Sequence, residues 1–254
     1  MGRIISIANQ KGGVGKTTSA VNLGASFAAA ERTALVVDVD PQANATSGLG
    51  VDPERVSLSA YEVLIGSAAA RDAIVPSELD YLDVLPASRD LAGAEVELVD
   101  AERRESRLRE GLGPLREEYD FIVVDCPPSL GLLTLNALCA ADSVIVPLQC
   151  EYYALEGLSR LLDTIEILRD GLNPGLEIDG ILLTMFDKRN NLSTQVEREV
   201  RDNFDGRVFG TVIPRNVRLS ESPSFGKPAL IYDVRSTGAQ RYLELAREYL
   251  ELER

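Results

Sequence analysis

Three groups of residues in this chain have the types and spacing for chemistry on a polyphosphate. The first is Gln10-Lys11-Gly12-Gly13-Val14-Gly15-Lys16-Thr17-Thr18. Glycines let backbone N–H groups curl around an anion, and a helix starting behind them adds the positive end of its dipole. In such a loop Lys16 reaches the β- and γ-phosphates and the Thr17 hydroxyl binds Mg²⁺, while Gly12, Gly13, Val14, Gly15 and Thr18 wrap the nucleotide. Gln10 stands where the usual G-x-x-x-x-G-K-[ST] loop has its first glycine, and Lys11 adds a cation that packing does not explain. The second group is Val37-Asp38-Val39-Asp40-Pro41-Gln42, and the third is Val123-Val124-Asp125-Cys126-Pro127-Pro128. An apolar run that ends in bare aspartate is costly to bury unless a cation or donors meet it. Asp125, at the end of such a run, reads as a metal carboxylate acting through a water. Asp38 and Asp40 alternate along their strand, so only one of them faces the γ-phosphate.

These groups have to be delivered by a regular frame. The glycine loop follows the apolar run Ile4-Ile5-Ser6-Ile7-Ala8 and precedes a helical pattern from Ser19 to Phe27. Strand, loop and helix in that order is the context a phosphate loop needs. Further strands are expected at residues 34–39, 82–85, 121–124, 143–146, 180–185 and 208–213. Most are unbroken Val/Ile/Leu runs, the mark of strands buried on both faces of a parallel sheet. Helical patterns fall between them, at 132–140, 155–169 and 193–204. A last pattern at 241–250 places Tyr242, Leu245, Ala246 and Tyr249 on one docking face. The expected fold is α/β: a doubly wound, mostly parallel sheet flanked by helices, in one domain over residues 1–254. Ligands of such sheets sit at the carboxyl ends of the strands, where all three groups would meet.

The loop K-G-G-x-G-K-T resembles the deviant Walker A loop of the ParA/MinD class of P-loop ATPases. Six specified residues arise by chance on the order of 10⁻⁵ per chain at average residue usage. The likeness continues nearly end to end and is closest to the short Soj-like branch of the ParA family. It is carried by the run from Asp38 to Gly50, by Ala87 and Leu91–Leu98, by Asp125 to Ala137, by Gln149-Cys150-Glu151-Tyr152-Tyr153-Ala154-Leu155-Glu156-Gly157-Leu158, and by Ile213-Pro214-Arg215-Asn216-Val217-Arg218-Leu219-Ser220-Glu221. The resemblance implies an ATPase that is slow alone, binds ATP with Mg²⁺ and forms a homodimer around two nucleotides. It implies that Lys11 crosses to the partner's nucleotide and that Asp40 positions the attacking water. Asp38 would support the metal or the loop, and Pro214 and Asn216 would lie against adenine. It also implies non-specific binding of double-stranded DNA through Lys188, Arg189 and Arg218, and a ParB-type centromere-binding partner that triggers hydrolysis. The work would be chromosome or plasmid partition in the cytoplasm, on the nucleoid. The chain starts at the phosphate loop, with no helix-turn-helix domain ahead of it, so operator-specific autoregulation is not expected. No Asn-Lys-x-Asp motif appears, so ATP is expected over GTP.

Composition removes several other classes. Three cysteines without C-x-x-C spacing and no histidine leave no zinc site in prospect; small buried thiols in a reduced interior are expected. No secretory signal is legible, and the apolar stretch 130–149 is interrupted by Asn136, Asp142 and Pro147. The N-terminal match to a myristoylation pattern fails because Ile4 belongs to the first strand. A net charge of −14 argues against nucleic acid only on average. Residues 188–241 hold ten Lys/Arg against six Asp/Glu, a net of +4, which leaves −18 elsewhere. Two alternatives share the loop. A MinD-like membrane ATPase for division-site placement needs a basic amphipathic tail, and Glu248-Tyr249-Leu250-Glu251-Leu252-Glu253-Arg254 is acidic. An amidoligase or iron-protein reductase would need other loops, the latter with cysteines placed to bridge a cluster.

Overall fold

Seven strands form one sheet in the computed structural model, which describes residues 1–151, 154–204 and 206–252. They are β1 (Arg3–Ile7), β2 (Ala34–Asp38), β3 (Val75–Pro76), β4 (Leu82–Leu85), β5 (Phe121–Asp125), β6 (Ser143–Gln149) and β7 (Glu177–Thr184). The spatial order is β3-β4-β2-β5-β1-β6-β7. Every pairing is parallel except β3 with β4. β2 and β5 are buried at every residue, as their unbroken apolar runs require when helices cover both faces. The doubly wound α/β frame is therefore the one expected. Tyr152, Tyr153, Glu253 and Arg254 of the sequence motifs lie outside the described residues.

Three strand boundaries depart from expectation, each for a local reason. β6 runs on through Pro147 to Gln149. The Pro147 carbonyl accepts from Asn9 Nδ2 at 2.7 Å, so the side of this residue that lacks an N–H faces β1 beyond the last β1–β6 pair, Ile7–Ile145. No ladder bond is lost there. Residues 208–213 run beside β7 but form only isolated bridges, Ile181 with Val208 and Phe186 with Pro214. Phe209 and Ile213 still donate to the Ile181 and Leu183 carbonyls of β7, but between them the ladder breaks because the Thr211 N–H donates instead to the carboxylate of Glu248, at 2.9 Å, which also takes the Gly210 N–H at 2.6 Å. β3 carries no hydrophobic run to announce it, and Pro76 limits it to a two-residue edge strand.

Helix α1 (Lys16–Ala29) starts directly from the glycine loop and lies almost wholly buried against the sheet. The C-terminal helix Thr237–Leu252 docks on it through the expected stripe: Tyr242, Leu245, Ala246 and Tyr249 are all buried. Phe27 stacks on Phe121 with centroids 4.1 Å apart, and Tyr249 meets both rings edge-on. The Tyr249 hydroxyl donates to Asp179 Oδ2 at 2.7 Å, and that of Tyr242 shares a 3.0 Å bond with Ser19 of α1. Tyr249→Ala removes a buried ring and one of the donors to Asp179, which keeps Ser143 and Arg3. It is expected to destabilise the fold by about 3–5 kcal/mol. Chemical denaturation measures this, and a loss below about 1 kcal/mol would mean that the helix is not docked as described.

Candidate functional site

The phosphate loop hangs between the ends of β1 and α1, held from both sides. Asn9 Nδ2 ties it to β6 through Pro147, and Asn9 Oδ1 accepts the Lys11 N–H at 3.0 Å. Thr184, the last residue of β7, donates its hydroxyl to the Val14 carbonyl at 2.8 Å. Gly13 and Gly15 stand at φ 72° and 90°, a left-handed backbone that a side chain would strain. Neither Asn9 nor Thr184 was apparent as a loop anchor in the sequence, since nothing in its spacing brings position 184 to position 14.

Lys16 is buried, and its ammonium donates to the Lys11 carbonyl at 3.1 Å. Burial lowers its proton affinity, while the charges of Asp125 and Asp40 oppose that shift. Lys11 points out of the loop and pairs with Glu151 of the same chain, at 3.3 Å on the surface. Gly12 and Gly13 are exposed, while Thr17 and Thr18 are half-buried.

The three aspartates gather where expected but divide their work differently. Asp38 and Asp125 are the terminal residues of neighbouring strands and sit side by side in register. Asp38 is wholly enclosed. Its Oδ2 accepts the N–H and the hydroxyl of Thr46, at 2.8 and 2.7 Å, and its Oδ1 accepts the Asp40 N–H at 3.1 Å. Burial pushes its carboxyl up to about 6 against those hydrogen bonds. Of the two options for Asp38, metal or loop, its hydrogen bonds favour the loop. Asp125 is the opposite case: both its oxygens are buried and neither has a hydrogen-bond donor among the described residues. Burial raises its carboxyl well above the ordinary carboxylate range, and the Asp38 charge adds to this. The Thr17 hydroxyl and the Lys16 ammonium pull the other way. Asp40 keeps one oxygen on the Gln42 N–H, at 2.9 Å, and its other oxygen has no hydrogen bond among the described residues.

Beside the loop lies a cavity of about 370 Å³ lined by Gly15, Thr18, Met185, Pro214, Asn216 and Tyr242, among others. It contains the pair expected against adenine. Pro214 presents its ring, but Asn216 is already engaged. Its Oδ1 caps the helix Val217–Glu221 by accepting from Arg218 N, and its Nδ2 donates to Thr237 Oγ1. Base reading by Asn216 therefore has to use its remaining lone pair and hydrogen. Met185 at the cavity wall has φ 50°, an uncommon conformation for a non-glycine residue.

Lys188 and Arg189 are exposed in the loop after β7, and Arg218 is exposed on the helix beyond the cavity. Both arginines are paired. Arg189 grips Asp187 through two nitrogens at 3.1 and 3.0 Å, and Arg218 bridges Glu221 at 2.7 Å and Asp233 at 3.3 Å. Charge counting along the sequence could not show this, because Asp233 lies fifteen residues past Arg218. The three cysteines are free and buried. No helix among the described residues is long and apolar enough to cross a membrane.

Residues 2–178 match a family described as an AAA domain. The chain is 59% identical over 251 residues to the chromosome partitioning protein ParA of Myxococcus xanthus, covering 99% of this chain and 89% of that one. It is 56% identical to the sporulation initiation inhibitor protein Soj of Bacillus subtilis, covering 98% of both. Among solved structures, a Mycobacterium smegmatis protein named cobyrinic acid a,c-diamide synthase, with bound ADP and magnesium, superposes with a TM-score of 0.86. It is 40% identical, over 97% of this chain and 93% of that one. The identity is higher to the partitioning proteins than to the synthase, over nearly the whole length of the chain: it belongs to the ParA/Soj family of chromosome-partitioning ATPases.

Proposed function

We propose that this chain is an ATP-driven dimerising switch for chromosome or plasmid segregation, which binds DNA without sequence preference and hydrolyses ATP when a ParB-type partner stimulates it. The observation that carries the nucleotide chemistry is the buried Asp125 carboxylate, whose oxygens make no hydrogen bond among the described residues, beside Thr17 and Lys16 of a loop with left-handed glycines. Such a carboxylate suits a hydrated cation, and Thr17 and Asp125 are the residues to hold Mg²⁺, which when bound neutralises phosphate charge. Lys16 and the N–H groups of the loop cradle the phosphates. Adenine enters the cavity against Pro214, with Thr18 at its rim. Asp40 orients the attacking water with the oxygen that has no hydrogen bond among the described residues.

Dimerisation assigns Lys11 to the partner's nucleotide. Its surface pair with Glu151 has to open first, and an exposed pair of this kind is worth little. Lys11→Ala is therefore expected to leave ATP affinity within about threefold while abolishing the ATP-induced dimer. Light scattering with and without ATP measures the mass; a dimer as stable as the wild type's would reject the crossing role. Membrane attachment finds no support in the last helix, whose apolar stripe is already buried against α1.

DNA binding draws on the basic segment 188–241. A duplex phosphate can replace Asp187 on Arg189, which is 90% exposed, at little cost. Arg218 has two carboxylates to leave, so its contribution is the smaller. Binding is measured with ATP, with ADP and without nucleotide, across salt concentrations. ATP-dependent, sequence-independent binding is expected, with the salt slope reduced by about 1 in Arg189→Ala. Failure of the wild-type protein to bind DNA with ATP would overturn the segregation reading. Unchanged binding by Arg189→Ala and Arg218→Ala would overturn this surface alone.

A further inference from the structure

We infer that Thr46 is a positioning residue for ATP hydrolysis, its hydroxyl fixing the turn that carries Asp40. Thr46 is wholly buried at the first turn of helix α2 (Asn44–Gly48). Its hydroxyl serves two elements at once. It donates to Asp38 Oδ2 at the end of β2, at 2.7 Å, and accepts the Ala87 N–H just past β4, at 2.9 Å. The Ala87 N–H can only donate, so the hydroxyl has to accept there and aim its own proton at the carboxylate. The Thr46 N–H adds a second bond to the same oxygen, at 2.8 Å. The other oxygen of Asp38 takes the Asp40 N–H. One carboxylate thus holds both ends of the turn from Asp40 to Thr46, and Thr46 is what clamps that carboxylate to the neighbouring strand.

The turn needs such a clamp. Ala43 sits at φ 52°, a left-handed conformation that an alanine keeps only when its surroundings hold it. The remaining contacts of Asp40 are local: one oxygen on the Gln42 N–H, and the backbone carbonyl on the Ala43 N–H at 2.9 Å. Both travel with the turn; the chain just before it is tied to the sheet by the Val39 N–H on the Asp125 carbonyl, at 3.1 Å, and its far end by the Ala87 N–H on the Thr46 hydroxyl. Losing the hydroxyl leaves the Ala87 N–H and one Asp38 acceptor site unpartnered in a closed interior, which favours a shifted turn. The phosphate loop, with Lys16 and Thr17, makes none of these bonds. A displaced Asp40 therefore affects the transition state and spares ATP binding. This inference rests on the water-orienting role proposed for Asp40.

The test uses the full chain carrying Thr46→Val, which keeps the shape and loses the hydroxyl, and Thr46→Ser, which keeps the hydroxyl. Asp40→Ala serves as the reference. Steady-state hydrolysis gives kcat and KM for ATP, and amide hydrogen exchange is read on nucleotide-free protein. For Thr46→Val, kcat is expected to fall by about tenfold or more with KM within about twofold. Exchange at the Asp40 and Ala87 amides should accelerate about tenfold in the same variant. Thr46→Ser should stay within about threefold of the wild type in all three readings. A loss of turnover in Thr46→Ser as large as that of Asp40→Ala would overturn the inference, and this arm decides even if Thr46→Val does not fold. Wild-type turnover and exchange in Thr46→Val would overturn it too. Wild-type turnover in Asp40→Ala would instead remove the role of Asp40, while the exchange readings still report whether Thr46 holds the turn.

Discussion

Lys16→Ala is expected to lower ATP affinity by about a hundredfold or more, which isothermal titration with ATP will read directly. Lys16 is buried, and its ammonium already sits inside the loop on the Lys11 carbonyl. Its cost of burial has therefore been met in the folded protein, and a phosphate gains the charge without a further desolvation of the lysine. Exposed Lys11 cannot take over, since its side chain leads away from the loop to Glu151. The fold should tolerate the change, because Lys16 makes no ion pair among the described residues and the loop is anchored elsewhere, by Asn9 and Thr184. An ATP affinity within threefold of wild type would remove the phosphate-loop assignment, and with it the rest of the site.

The loop was legible in the sequence because a polyphosphate constrains residue types locally: glycines for left-handed backbone, a lysine and a hydroxyl at fixed offsets. Strands β1, β2 and β5 were legible for a similar reason, since burial on both faces leaves an unbroken apolar run. What escaped depends on contacts between distant residues. The segment 208–213 has strand composition, yet Glu248 takes two of its N–H groups from a helix almost forty residues away. Asp38 and Asp125 look alike in sequence, as aspartates closing apolar strands. Thr46 makes one of them a structural clamp, while the other makes no hydrogen bond among the described residues. Asn216 reads as a free amide beside a base site, but position 237 and its own helix already claim it. Charge in the segment 188–241 was counted correctly, yet the count could not tell that Arg189 and Arg218 are held by carboxylates in the unbound protein.

Asp40→Ala should separate binding from turnover. ATP affinity is expected to stay within about threefold of wild type, while kcat falls by about a hundredfold or more, the usual scale for losing a group that acts on the reacting proton or water. The reason is geometric. Asp40 spends one oxygen on its own turn, through Gln42 N–H, keeps the other without a hydrogen bond among the described residues, and lies near enough for Lys16 to feel its charge. A ground-state nucleotide gains little from a nearby negative group, so losing it costs little affinity; a water that must be aligned and deprotonated gains much, so losing it slows the chemical step. If hydrolysis is what ends the ATP-bound state, the variant should also accumulate as the ATP dimer and remain on DNA after the partner protein is added. Single-turnover hydrolysis with labelled ATP, read beside titration of the same preparation, distinguishes the outcomes. Equal loss of affinity and rate would mean that Asp40 supports the nucleotide itself. Near-normal turnover would hand the water to the backbone or to Asp38, whose oxygens would then have to give up Thr46 to reach it. Asp40→Asn sharpens the reading: it keeps an acceptor for Gln42 and loses only the charge, so a matching fall in kcat would assign the effect to the carboxylate and not to a collapsed turn.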